Sequence, residues 1–236
     1  LLDDYRRSFG EAYEAVVRTI RQRGEFPTGR LAKSTRSIVE KLRRESIRLS
    51  QMQDIAGCRV VVLHVMQQDQ FVASLKNDFP GAFVIDRRDK PSYGYRAVHI
   101  IAEISGKPIE IQVRSSLQHL WAELSEKSSD VLDPTIKYGG GTDSWRSFLT
   151  SSSGAVASYE NLEKTIADAL KVYNDTVVEA AERLLDEQGQ KQAREELRVF
   201  REAEKRKLDH EWNVNAALLK GAISWLDEGR LKGQKQ

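Results

Sequence analysis

One cysteine, Cys58, in 236 residues leaves no partner for an internal disulfide and no thiolate set for a structural zinc. That usage fits a reducing compartment, and the chain reads as cytoplasmic. No apolar run approaches the ~20 residues that a membrane span needs. The opening residues, Leu1-Leu2-Asp3-Asp4-Tyr5-Arg6-Arg7, lack an apolar signal core, and a first residue of Leu leaves room for others upstream. Neither sign of charge dominates: the formal net charge is +2, so attraction to a polyanion has to come from local clustering. There is no Walker loop and no dinucleotide fingerprint, since Gly139-Gly140-Gly141 follows a loop rather than a strand. The histidines at 64, 99, 119 and 210 show no metal-ligand spacing, and no nucleophile elbow supports a Ser-His-Asp hydrolase. Internal repeats and low-complexity tracts are absent.

What is present is a globular balance, 40% hydrophobic and 31% charged residues, enough to bury a core. Apolar and aromatic residues at helical spacing (Phe9, Tyr13, Val16, Val17, Ile20) predict one amphipathic helix over residues 5–21, ended by Gly24, Pro27 and Gly29. A second, strongly basic helix carries Ile38, Val39 and Leu42 inward. The period then becomes strand-like over residues 58–65, with a helix at 68–77 and a strand at 83–86. Strands at 97–104 and 109–114 are joined by the hairpin signal Ser105-Gly106-Lys107-Pro108. From about residue 153 the chain reads as helix, with one stripe through Leu162, Ile166, Leu170, Tyr173, Val177, Ala180 and Leu184. Leu197, Phe200, Leu208 and Trp212 begin another, beside a stretch of mixed charge that reads as solvated surface. The expected architecture is α/β, a mixed sheet flanked by helices over residues 1–150, with a helical extension at 151–236 packing on it.

Moving a phosphoryl or pyrophosphoryl group needs cations on phosphate oxygens, a carboxylate-held Mg²⁺ and an acceptor for the proton of the attacking hydroxyl. Lys33, Ser37 and Lys41, spaced i, i+4, i+8, would share one helix face as a triphosphate cradle. A solvated basic face gives the same spacing. Asp54 precedes a strand, followed by Gly57 and by Arg59 entering it; the same carboxylate could merely cap a turn. In the strand 109–114, Ile109, Ile111 and Val113 share one face, which leaves Glu110, Gln112 and Arg114 as a polar row on the other. Glu110 has the character of a metal ligand or a general base. Between these segments lies Pro91-Ser92-Tyr93-Gly94-Tyr95-Arg96-Ala97-Val98-His99, in which tyrosine faces suit a base while Arg96 and His99 can contact phosphate or sugar.

Taken in order, Lys33-x-x-x-Ser37-Ile38-x-x-Lys41, Asp54-Ile55-Ala56-Gly57-x-Arg59, Gly94-Tyr95-Arg96-x-x-His99, Glu110-Ile111-Gln112-Val113-Arg114 and Trp121-Ala122-Glu123 resemble the synthetase domain of the RelA/SpoT family, over roughly residues 30–137. The resemblance implies a nucleotidyltransferase-like mixed sheet flanked by helices, and transfer of the β,γ-pyrophosphate of ATP to the 3′-hydroxyl of GDP or GTP. It assigns Mg²⁺ to Asp54, with Glu110 as base or second ligand. Arg59 and Arg30 would stack on adenine, Lys33, Ser37 and Lys41 would bind the ATP phosphates, and Tyr95 would stack on the acceptor base. His99, Gln112 and Arg114 would shape the acceptor site. Tyr93 stands where many members have Asn.

The chain has no His-Asp dipeptide, so it resembles a small stand-alone synthetase. Residues 91–99 and 136–141 look most like the toxic small alarmone synthetases of toxin-antitoxin pairs. The resemblance therefore implies an ATP-dependent pyrophosphokinase acting on a purine nucleotide, either a guanine or an adenine nucleotide, and inhibiting growth. Pyrophosphorylation of the 3′ end of tRNA is the alternative, and a non-catalytic nucleotide sensor is the alternative of another class. An antitoxin protein and a second copy of the chain are the protein partners left open; no membrane partner is expected.

Overall fold

The computed structural model describes residues 2–233, the side chains of residues 30 and 230–233 excepted. The chain divides into two compact units, Leu1–Leu63 with Gln67–His119, and His64–Met66 with Leu120–Gln236. The first holds the sheet. A boundary at residue 150 would cut a continuous helix, Asp143–Tyr173.

In chain order the first unit runs α1 (Leu2–Arg7), α2 (Gly10–Gln22), β1 (Thr28–Arg30), α3 (Thr35–Arg44), β2 (Ala56–Val62), α4 (Val65–Asp78), β3 (Phe83–Asp86), β4 (Val98–Ile104) and β5 (Lys107–Ser115). The sheet order is β1-β2-β5-β4-β3. Only β2 and β5 are parallel; the other pairings are antiparallel, so the sheet is mixed. Alternation along the strands decides its two faces. Ala56, Cys58, Val60, Ile100, Ala102, Ile109, Ile111 and Val113 form a buried apolar face with Phe9, Ala12, Val16 and Ile20 from α2 and its approach, and Phe71, Leu75 and Phe79 from α4. Burial pushes the Cys58 thiol up to about 12, helped by the negative charge of Glu110, which leaves it inert at neutral pH. Glu110, Gln112 and Arg114 therefore emerge on the opposite face.

The expected helix over 5–21 is two, because the chain breaks between α1 and α2 at Phe9, whose ring is fully buried against Tyr5 at 5.3 Å. β1 was not expected from the sequence. It exists because Gly29 lets the edge strand close on β2, where an added Cβ would meet Gly57 O and Cys58 Cα at 2.6 Å. Val39, expected inward, is exposed, while Ile38 is buried. The β4–β5 hairpin follows its sequence signal. Ser105 and Gly106 take φ +53° and +73°, a two-residue turn whose twist matches the strands.

The second unit continues with α5 (Ser116–Val131), which begins in the first, then α6 (Asp143–Tyr173), a π-helical turn (Asn174–Val178), α7 (Glu179–Leu184) and α8 (Glu187–Gly233). Of the second stripe, Leu197 is buried and Phe200, Leu208 and Trp212 are half-buried, while Ala216, Leu219 and Leu226 further along the helix are buried. The first is displaced by one residue after Tyr173: Val178 and Ala181 are buried rather than Val177 and Ala180, and Leu184 is 81% exposed. The π turn inserts the extra residue that rotates the phase. Among the described residues no helix is long and apolar enough to cross a membrane.

Gly57 sits opposite Glu110 in the parallel pair, and an added Cβ would lie 2.7 Å from Glu110 O. Gly57→Ala is expected to cost about 1–3 kcal/mol of stability by forcing β2 from β5, read as a lowered urea midpoint.

Candidate active site

Three segments of the first unit converge on the polar face. Ser34 caps α3, its Oγ accepting the Ser37 N–H at 3.2 Å, so the helix starts at Thr35 and Lys33 lies just outside it. The expected single helical face for Lys33, Ser37 and Lys41 is thereby corrected. The backbone N–H of Lys33 donates to Ile55 O, and its Nζ reaches Asp54 Oδ2 at 2.5 Å; Lys41 Nζ reaches Asp54 Oδ1 at 3.0 Å from inside the helix. Ser37 Oγ accepts from Ser34 Oγ at 2.8 Å and belongs to the cap rather than lying between the ammonium groups.

Burial pushes the Asp54 carboxyl upward, but Lys33 and then Lys41 outweigh it and hold the group below its ordinary value of 3.8. Burial likewise pushes Glu110 upward, and is outweighed by the hydrogen bond and charge of His99 and by the amide of Gln112, leaving it below 4.5. The negative charge of Asp54 opposes that lowering. Asp54 lies two residues before β2, and Glu110 pairs with Gly57 near the start of that strand.

Around Glu110 the side chains form a closed hydrogen-bonded ring. His99 Nδ1 lies 2.8 Å from Glu110 Oε1, and its Nε2 lies 2.9 Å from the Tyr95 hydroxyl. Arg114 Nη2 donates to the Tyr95 hydroxyl at 3.0 Å and to Gln112 Oε1 at 2.9 Å, and Gln112 Nε2 donates to Glu110 Oε2 at 2.9 Å. Strand register puts His99 opposite Gln112 and Arg59 beside it, and Arg59 carries charge toward the Tyr95 hydroxyl. Tyr95 arrives on a tight turn in which Tyr93 and Gly94 take φ +54° and +91° and Tyr95 N–H returns to Ser92 O at 3.0 Å. Tyr93, in a conformation that Asn adopts more readily, is 63% exposed.

Arg96 Nη1 donates to Arg88 O at 2.9 Å. The expected adenine contact of Arg30 falls on a side chain outside those described. Arg88 was missed from the sequence. Its guanidinium meets Asp69 Oδ1 at 2.7 Å, Asp86 Oδ2 at 2.6 Å and Gln68 Oε1 at 3.1 Å. Burial disfavours that charge, but Asp86 and Asp69 outweigh it and raise the pKa, so Arg88 braces the loop between β3 and β4. The charge run Asp86-Arg87-Arg88-Asp89 at the end of a strand was the available signal.

Among the described residues no group of three or more His, Cys, Asp or Glu is arranged to hold a metal. The pair Asp54 and Glu110 nonetheless suits a hard divalent cation. Each carboxylate uses two of its roughly four acceptor positions in the contacts above, and Mg²⁺ takes one or two carboxylates with water and phosphate oxygens.

Residues 29–129 match a family model described as a region found in RelA/SpoT proteins. That region of the chain is similar to RelA/SpoT proteins, and the mixed five-stranded sheet with flanking helices matches the RelA/SpoT synthetase fold of alarmone synthetases. The small alarmone synthetase 1 of Bacillus subtilis, solved with its product pppGpp, is 26% identical, with a TM-score of 0.50 over 70% of this chain and 93% of that one. The smu.1046c protein of Streptococcus mutans UA159 is 27% identical, with a TM-score of 0.51 over 72% and 95%. In sequence, the uncharacterized proteins Mb1401 of Mycobacterium bovis and Rv1366 of Mycobacterium tuberculosis are each 37% identical over 111 residues. That match spans 45% of this chain and 41% of those relatives.

The lowered carboxylates stabilise the fold above their unfolded values of 3.8 and 4.5, and that contribution is lost as pH falls through the lower folded values. In metal-chelating buffer the urea midpoint should fall with pH across this acid range, and Asp54→Asn should make the dependence shallower.

Proposed function

We propose that the protein transfers the β,γ-pyrophosphate of ATP to the 3′-hydroxyl of a purine nucleotide, making a (p)ppGpp-type alarmone. The observation that carries this reading is the convergence of Lys33 and Lys41 on Asp54, with Glu110 close enough to feel the charge of Asp54. The similarity to RelA/SpoT proteins and the alarmone synthetases of like fold support it. An ATP-consuming reaction of this kind fits a cytoplasmic protein.

In this mechanism Lys33 and Lys41 exchange part of their contact with Asp54 for triphosphate oxygens, cations being the main aid the protein gives a phosphoryl centre. Arg59, on the same face, is available to the adenine. Asp54 and Glu110 would hold Mg²⁺, which supplies neutralisation of phosphate charge when bound. Tyr95 receives the acceptor base on its ring, and His99, Gln112 and Arg114 set the floor beneath. The acceptor oxygen forms a bond to the β-phosphorus. The bond from that phosphorus to the oxygen bridging the α-phosphate breaks, and AMP departs with the electron pair. The hydroxyl proton goes to Glu110, whose lowered pKa keeps it ionised at neutral pH.

Incubation with γ-labelled ATP and GDP, GTP, ATP or bulk tRNA tests the reaction. Label entering a mononucleotide with equal release of AMP is the expected result. Release of ADP, or no transfer, overturns the reading, and label confined to tRNA replaces the acceptor. Glu110→Gln is expected to lower kcat by about 10²–10⁴-fold, and Asp54→Asn to abolish the growth arrest that unchecked synthesis would cause. Tyr95→Ala is expected to impair acceptor use while calorimetry still records ATP binding.

A further inference from the structure

Arg114 is 2% exposed, yet among the described residues no carboxylate lies at ion-pair distance from it, and its Nε and Nη1 have no hydrogen-bond partner. A guanidinium buried in this way is costly unless its charge is answered. The answer is Glu110, reached through two arms. A guanidinium only donates and a carboxylate only accepts, so with the His99 proton on Nδ1, facing Glu110, and Nε2 accepting, every bond between them runs in one direction. On one arm Arg114 donates to the Tyr95 oxygen, Tyr95 donates to His99 Nε2, and His99 Nδ1–H donates to Glu110. On the other, Arg114 donates to Gln112 and Gln112 to Glu110. Donors aligned head to tail between opposite charges polarise one another and resist reorientation.

Burial raises the pKa of the Tyr95 hydroxyl, outweighing the nearby cations, so it keeps the proton it must donate. Its ring is meanwhile held by edge contact with the His99 imidazole at 5.6 Å and by the Arg114 guanidinium 5.1 Å from its centroid. Ring and hydroxyl therefore have separable duties.

We propose that the Tyr95 hydroxyl is a positioning group for Glu110, acting through His99. The residue whose face receives the acceptor base then also fixes the carboxylate that takes the acceptor's proton. This rests on the reaction proposed above. Acceptor seating and base orientation are coupled through one side chain, and Arg114 anchors the far end of both arms.

Tyr95→Phe separates the two duties, because it keeps the ring and removes only the oxygen. The acceptor KM should stay within about twofold while kcat falls about tenfold, the loss of one aligned hydrogen bond. Tyr95→Ala should instead raise the acceptor KM. Arg114→Lys, which shortens the cation at the start of the arm, is a second variant and should show the same split in smaller measure. Independently of turnover, ¹⁵N spectra of the histidine-labelled protein at fixed pH should show the His99 Nε2 resonance moving in Tyr95→Phe. An unchanged kcat in Tyr95→Phe, or an unmoved His99 resonance, overturns the proposal. A wild-type protein without transferase activity whose His99 resonance still moves would overturn the reaction while supporting the Tyr95–His99–Glu110 coupling.

Discussion

Two opposite charges stand on the same face of one strand and cannot touch. Glu110 and Arg114 are four residues apart in β5, which at strand rise separates their backbones by about 13 Å, too far for a direct ion pair. Arg114 is buried and Glu110 half-buried on the polar face of the sheet, where an unanswered charge is costly. The fold bridges the gap with neutral groups: Gln112 from the intervening position of the same strand, His99 from β4 and Tyr95 from the loop before it. The identity of every residue in the ring follows from this. Each intermediate has to donate toward the carboxylate and accept from the guanidinium, which amide, hydroxyl and neutral imidazole can do and an ammonium cannot.

Such a ring holds only if Tyr95 is held, and Tyr95 lies outside regular structure. Its loop is tied at three levels. Arg87 N–H closes the base on Ala97 O, Arg96 reaches the carbonyl of Arg88, and the Arg88 side chain fastens to Asp86, Asp69 and Gln68. The last contact extends to Gln118 and Val113 O, so the loop is fixed to the strand that bears Glu110 and Arg114. A half-buried arginine with two carboxylates here orders a loop.

Legibility in the sequence followed the range of the interactions. The polar row of β5 was readable because alternation is local, and the β4–β5 hairpin because a Ser-Gly pair serves φ > 0 at little cost. Lys33, Ser37 and Lys41 were misplaced on one helical face because spacing alone does not show that Ser34 caps the helix and leaves Lys33 outside. The convergence of Lys33 and Lys41 on Asp54 is tertiary and could not be read from spacing. β1 was missed because its basis is the close approach of Gly29 to another strand. The shifted stripe after Tyr173 shows the same limit, since one π turn rephases everything beyond it and leaves no mark in a hydrophobic pattern.

The electrostatics of the face bear on the proposed reaction. Lys33 and Lys41 share Asp54, Lys41 also lies 3.9 Å from Glu45, and Arg114 is answered at a distance by Glu110, with Arg59 on the same face. Lys33 and Lys41 reach Asp54 through long side chains that would turn to an incoming phosphate in the proposed reaction. The Arg114–Glu110 end has no such freedom, because each side chain there is fixed by bonds on both sides. In the proposed reaction the Lys33–Lys41 end would grip the charged donor, and the rigid Arg114–Glu110 end would hold the base in one orientation. One sheet face thus divides the two requirements of an in-line transfer between its two ends.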